Sequence, residues 1–404
     1  MIGNEIFSLD SYDCIGFDLD NTLVQYVEFE LVSFIYDLTA KYLIEHFDYN
    51  SDDILKPITY DIDFLRKGLT LDVERGNIVS LSEDGTVLRA SHGFNFFTTD
   101  EIRQIYEPNG KWNLAAIHCD NFLQTWNGEW SNKIRSFLDY FDMCLPLLFA
   151  RLINSIESRN ETITSCDIWS HILQAVMHIY RNESFENESG EYYREVKKNP
   201  TKFLKKCSKS FLDWLQNLKL SGKITFVITG SRNDYANFIA EHGLCKEWNK
   251  FFDVIIYYAK KPGFFVKNRP FLFKNTKNIA QPLELKLNSS YEEGNWTDLR
   301  ALFSKETGKS NPKCLYIGDN LIQDIYAPAK YHCCDTIAVV QELMLEYKYD
   351  ELLDSKKWGT FFYDDEHQKN SIWGKIIASY SKICIPSVDW FIDQSLRKKY
   401  NQLK

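Results

Sequence analysis

Asp18-Leu19-Asp20-Asn21-Thr22 sets two carboxylates two residues apart, directly after a short apolar run. In an extended segment, side chains at i and i+2 share a face. One carboxylate can then attack as a nucleophile while the other handles protons, and together they offer hard oxygen ligands to Mg²⁺. Thr229-Gly230-Ser231 ends a second apolar run, where small hydroxyls and bare amides at a helix start can bind phosphoryl oxygens. Lys260-Lys261-Pro262 follows a third run and supplies positive charge; Gly318-Asp319-Asn320, with Asp324, ends a fourth. Each group also has a plain structural reading: a capped turn, a helix N-cap, a solvated lysine, acids at a helix start. Acid pair, hydroxyl, lysine and acid pair, in that order, are nonetheless the parts that phosphoryl transfer through an aspartyl-phosphate requires.

The elements that would position them are short. Cys14 to Phe17, Ile224 to Ile228, Val254 to Tyr258 and Cys314 to Ile317 are strand-length runs rich in branched or aromatic residues. Runs that are apolar on both faces suit parallel strands covered by helices, and ligands of such sheets bind outside the carboxyl ends. A fifth strand is expected over Thr336 to Val340. Helical spacing follows Leu31, Phe34, Ile35, Leu38 and Tyr42, then Leu204, Cys207, Phe211, Leu215 and Leu218 with Gly222 as a stop, then Asp234 to His242 with Gly243 as C-cap. The alternation predicts an α/β fold, a doubly wound parallel sheet.

About two hundred residues separate Asp18 from Ile224, far beyond a single crossover. The expected arrangement is a discontinuous core, 1–80 and 205–404, with a large, mainly helical cap, 81–204, inserted after strand 1. Strand patterns lie at Gly68 to Asp72, Asn77 to Ser80 and Thr86 to Ala90, the last two flanking an Asp84-Gly85 turn. Ile134 to Ile153 and Ile168 to Tyr180 read as helical, and 181–195 as an exposed loop.

Composition excludes several classes. Lys plus Arg is 47 and Asp plus Glu is 56, a net charge of −9, so neither a nucleic-acid coat nor an anionic-membrane binder is expected. A small anionic ligand would need its positive charge supplied locally. The ten cysteines form no C-x-x-C pair, which argues against a zinc knuckle or redox motif. The N-terminus lacks the character of a secretory signal and no apolar run reaches about 18 residues. The expected compartment is the cytoplasm.

The four motifs together resemble the haloacid dehalogenase superfamily. Within it GFDLDNTL (16–23), RKGLTLDVERGN (66–77), HGFNF (92–96), DVIIYYAKKPGFF (253–265) and LYIGDNLIQDI (315–325) are similar to the cytosolic purine 5′-nucleotidase family. The resemblance implies a haloacid-dehalogenase-type core and Mg²⁺-dependent hydrolysis of a small phosphorylated substrate, a nucleoside 5′-monophosphate. It makes Asp18 the nucleophile and Asp20 the general acid/base. Thr229 becomes the phosphate-binding hydroxyl, with Gly230 and Ser231 beside it, and Lys261 the motif lysine. Mg²⁺ would be held by Asp18, Asp319 and the backbone carbonyl of Asp20, with Asp324 in support. The family's base-binding residues are matched less well: SFLDYFDM offers Phe141 and Asp142 but lacks the leading Asn, and HILQAVMHIY puts Leu173 and Met177 where a charged pair belongs. Two alternatives accompany this reading: a phosphatase of another small monoester, and a binding or scaffold member with negligible turnover.

Overall fold

The apolar runs become the middle of one sheet. Strands Cys14–Phe17, Ile224–Ile228, Val254–Tyr257 and Cys314–Gly318 are buried at every position, as strands screened from water on both faces must be. The computed structural model describes residues 6–126, 130–181, 185, 189–273, 279–280, 284–344 and 357–403. Its central sheet has nine strands, in the order Ile279–Ala280, Phe271–Phe273, Ser289–Glu293, Val254–Tyr257, Ile224–Ile228, Cys14–Phe17, Cys314–Gly318, Asp335–Val339 and Ile383–Ile385. Every pairing from Ser289–Glu293 to Ile383–Ile385 is parallel, and the pairings of Phe271–Phe273 with its neighbours are antiparallel.

Register shows how helices cover this sheet. Gly16 lies opposite Phe226, and a Cβ on Gly16 would stand 2.1 Å from that ring, so only glycine admits the phenylalanine. Phe226 packs against Trp296 and Phe303 of helix Trp296–Thr307. Phe17, on the opposite face, packs edge-on against Trp214 of helix Lys209–Leu220. From Cys14–Phe17 the chain builds outward through Ile224, Val254 and Ser289, then returns to the other side at Cys314. A crevice must form at the carboxyl ends where that direction reverses, the usual ligand position in such sheets.

The chain divides into two compact units: 1–27, 199–344 and 376–404 in the first, 28–198 and 345–375 in the second. The second carries a five-stranded antiparallel sheet, ordered Asn95–Phe96, Val87–His92, Asn77–Leu81, Thr70–Asp72 and Ile134–Ser136, beside its helices. This differs from the sequence division at 80/81 and 204/205, because Thr70–Asp72 hydrogen-bonds to strands on both sides of it. Helix Glu28–Phe47 belongs here too: Phe47 stacks on His171 of helix Ser165–Ile179, with ring centroids 3.7 Å apart. The helix expected from Ile134 begins only at Leu145, since Ile134–Ser136 is claimed as an edge strand. Residues Glu191–Lys198 form a helix where a loop was expected, and 182–184 and 186–188 lie outside the described residues.

The C-terminal segment serves both units. In the second, the Trp373 indole donates to the Gly68 carbonyl (2.8 Å) and Arg89 pairs with Asp364 (2.9 Å). In the first, Ile383–Ile385 extends the parallel sheet. Among the described residues, no helix is long and apolar enough to cross a membrane.

Candidate active site

Each polar motif sits where a strand stops. The Asp18 N–H still donates to the Ile317 carbonyl (2.8 Å), so this acid is fixed by the sheet while its side chain leaves the strand end. Just beyond, the Leu23 and Val24 N–H groups both donate to the Leu19 carbonyl (3.0 and 2.9 Å). Asn21 takes φ +54° to close this loop, a conformation that asparagine tolerates better than most residues. The loop after Val254–Tyr257 is tied to its neighbour, with Tyr258 N–H donating to Ser231 O and Ala259 N–H to Thr229 O (2.9 Å each). This holds Lys261 over the crevice.

On the other side, Asn320 caps a single π-helical turn, Leu321–Tyr326, its side chain accepting from Ile322 and Gln323 N–H. Asp324 lies in that turn, and its Oδ2 accepts from Asn320 N–H (3.2 Å). Gly318 makes room for it: a Cβ there would stand 2.5 Å from the Asp324 Cβ.

Lys261 Nζ donates to Asp18 Oδ1 (2.7 Å), to Asp324 Oδ1 (2.6 Å) and to the Tyr316 hydroxyl (3.2 Å). Its side chain is 4% exposed and that of Asp324 is fully buried. Lys260 turns away and pairs with Glu293 (2.6 Å). Carboxylate oxygens of Asp18, Asp319 and Asp324 lie within 4.8 Å of one another. Three carboxylates and one ammonium leave a formal charge of −2 in a buried cluster of hard oxygen donors, the complement of a divalent cation such as Mg²⁺. The same excess of negative charge explains the local acid–base chemistry. Burial, with Asp18 adding to it, pushes Asp324 up to about 7 against the opposing ammonium. At Lys261 burial favours loss of the proton, but the two carboxylates outweigh it and hold the ammonium charged, well above the usual lysine range.

Asp20 has a different setting. Its Oδ1 accepts from the Tyr26 hydroxyl (2.7 Å), which lies 3.1 Å from the Tyr235 hydroxyl. Its Oδ2 accepts from Ser231 Oγ (2.8 Å) and, more loosely, from Thr229 Oγ1 (3.4 Å). Burial and the Asp18 charge raise its pKa to about 6, while the Tyr26 and Ser231 hydrogen bonds and Lys261 pull the other way. Gly230 is exposed and open, with nothing within 4 Å of where a Cβ would be.

The strand ends thus bring Asp18, Asp20, Thr229, Ser231, Lys261, Asp319 and Asp324 together in the first unit. Phe141 and Asp142 are in the second unit and are engaged there. Asp142 pairs with Arg135 (3.2 Å) and accepts from Asp139 N–H (3.1 Å); the Phe141 ring meets Tyr180 edge-on. Sequence reasoning missed Tyr26, Tyr235 and Tyr316. Tyr235 approaches from 209 positions downstream of Tyr26, and nothing in a single sequence marks such a pairing.

Comparison with known proteins shows the family. Residues 2–358 match the model of the 5' nucleotidase family. The chain is 34% identical to human 5'-nucleotidase domain-containing protein 1, over 98% of this chain and 93% of that protein. It is 33% identical to the Bos taurus protein of the same name, with the same coverage. Human 5'-nucleotidase domain-containing protein 2 is 26% identical over 85% of this chain and 63% of its own length. A family match spanning residues 2–358, with relatives at 34% and 33% identity over 98% of the chain, makes the protein a member of the 5' nucleotidase family.

Proposed function

We propose that the first unit is a haloacid-dehalogenase-type core, that the inserted unit is its cap, and that the protein hydrolyses phosphate monoesters, nucleoside 5′-monophosphates foremost, through an aspartyl-phosphate on Asp18. The observation that carries this reading is the Lys261 bridge between Asp18 and Asp324, beside a separately held Asp20. An Asp18 oxygen attacks phosphorus while protonated Asp20 gives its proton to the leaving oxygen. Asp20, now a carboxylate, then takes a proton from the water that cleaves the acyl phosphate. A pKa of about 6 lets one group serve both steps near neutral pH. Tyr26 and Ser231 keep its two oxygens from rotating away. The Thr229 hydroxyl, only loosely engaged with Asp20 (3.4 Å), and the amide of exposed Gly230 are the donors assigned to phosphoryl oxygens, with Ser231 held on Asp20, and Lys261 balances charge from the opposite side. The donor set fits Mg²⁺, for which Asp18, Asp319 and the Asp20 carbonyl are the proposed holders and Asp324 the support. When bound, the ion would stabilise negative charge on the transferring phosphoryl group.

A second reading, hydrolysis of a different small phosphate monoester, is favoured by Asp142: its carboxylate is already committed to Arg135 and the Asp139 amide, so it is not available to a base. An assay with an aryl phosphate, with and without Mg²⁺, tests the chemistry. Turnover should require the ion and vanish in Asp18→Asn without unfolding; equal rates in the mutant would remove Asp18 as nucleophile. A panel of nucleotides and sugar phosphates then decides the substrate class, and a preference for sugar phosphates would select the second reading.

A further inference from the structure

Every N–H of the Lys261 ammonium is engaged. A lysine has three such donors, and they go to Asp18 Oδ1 (2.7 Å), Asp324 Oδ1 (2.6 Å) and the Tyr316 hydroxyl (3.2 Å). The two carboxylates are charged acceptors, whose hydrogen bonds are about twice as strong as those between neutral groups. Tyr316 is the neutral and more distant partner.

The direction of its contact is fixed. The Tyr316 hydroxyl donates its own proton to the Ile228 carbonyl (2.7 Å), so toward Lys261 it can only accept. To do this it reaches across strand Cys14–Phe17. Tyr316 stands opposite Gly16, and Gly16 opposite Phe226; over that bare position the Tyr316 and Phe226 rings stack, with centroids 6.3 Å apart. Phe265, shortly after Lys261 in the chain, packs on the same ring at 5.5 Å. Tyr316 is fully buried, and aromatic packing against two rings holds it in place. Its hydroxyl is therefore a stationary acceptor. It ties together its own strand, the carbonyl just before Thr229, and the loop that carries Lys261.

A phosphoryl group arriving at Asp18 meets an ammonium with no N–H to spare. Any hydrogen bond from Lys261 to that group must break one to the protein, and the bond to Tyr316 is the weakest of the three. We infer that Tyr316 is a positioning residue: it occupies the third N–H of Lys261 and keeps the lysine as countercharge to Asp18 and Asp324 rather than as a hydrogen-bond donor to bound phosphate, a role within the phosphoryl transfer proposed above. Without this restraint the lysine would grip the phosphate in the ground state. Such binding lowers KM and kcat together.

Tyr316→Phe keeps the ring and deletes the acceptor. With an aryl phosphate and Mg²⁺, KM and the competitive inhibition constant of orthophosphate should both fall about fivefold, the worth of one neutral hydrogen bond. The turnover number should fall with them and leave kcat/KM nearly unchanged. A merely structural contact would move the constants the other way, loosening phosphate as the site lost its shape. A ring-fluorinated tyrosine at position 316, whose hydroxyl still donates to Ile228 but accepts less well, should shift both constants in the same direction and by less. That variant gives the readout even if Tyr316→Phe folds poorly. Constants that rise or stay unchanged in these variants, or a fall in kcat/KM with KM unmoved, would overturn the inference and leave Asp18 standing as nucleophile. A wild type without Mg²⁺-dependent turnover would remove the phosphatase reading and this role together.

Discussion

Replacing Lys261 by Met removes an ammonium in contact with two buried carboxylates, at 2.7 and 2.6 Å. Methionine roughly preserves the stem's volume, so packing loss is small and the electrostatic cost dominates. Breaking a buried pair by deleting one partner costs about 3–5 kcal/mol. Here the lower end applies near pH 7, because Asp324, already pushed up to about 7, can take a proton and neutralise itself. A carboxyl whose folded-state pKa lies above its unfolded value contributes stability at low pH that is lost as pH rises. Without the ammonium, Asp324 must lie higher still. Mutant and wild type therefore differ least below about pH 7 and diverge above it, by up to about 1.4 kcal/mol per pH unit. Equilibrium urea unfolding followed by tryptophan fluorescence, at pH 6, 7 and 8, reads this directly. Added Mg²⁺ should stabilise the mutant more than the wild type, since the cluster's formal charge falls from −2 to −3. A mutant as stable as wild type at pH 8, or one whose deficit shrinks as pH rises, would refute the reasoning.

Other outcomes follow from the same contacts. Tyr26→Phe removes a hydrogen bond that lowers the Asp20 pKa, so the inflection near pH 6 in the turnover profile should move upward; an unmoved profile would separate Tyr26 from the acid–base step. Gly318→Ala places a methyl 2.5 Å from the Asp324 Cβ and should destabilise by about 1–3 kcal/mol in thermal unfolding, with activity falling as Asp324 is displaced. Arg151→Met, in the second unit, deletes a buried guanidinium that donates to Asp61 and to the Lys56 and Pro57 carbonyls. A loss of about 3–5 kcal/mol is expected in urea unfolding, and a neutral change would show that this network contributes no net stability.

The central strands were legible because burial on both faces leaves a contiguous apolar run, and such runs begin and end abruptly. Cys14–Phe17 and Ile224–Ile228 stand where the sequence placed them. Asp335–Val339 is displaced by one residue from its expected span, since its first residue is polar and serves Tyr12 rather than the core. The edge strands were not legible: Ile134–Ser136 and Ile383–Ile385 are three residues each, and pairing alone makes them strands. The division at residue 80 differs from the observed units for the same reason, since the sheet that holds Thr70–Asp72 is completed by a strand more than sixty residues away. In the candidate site, the residues flanking each strand could be read from their types. The hydroxyls of Tyr26, Tyr235 and Tyr316 could not, because a tyrosine looks like core packing until its partner is seen.

The most direct measurement is chemical trapping of the phosphorylated protein. Rapid acid quench during turnover, followed by borohydride reduction, converts an aspartyl-phosphate to homoserine, and peptide mass spectrometry locates it. The account predicts homoserine at position 18 in wild type, in larger yield where Asp20→Asn slows hydrolysis of the acyl phosphate. Steady turnover with an unmodified Asp18, or a phosphoryl group found on another side chain, would contradict it.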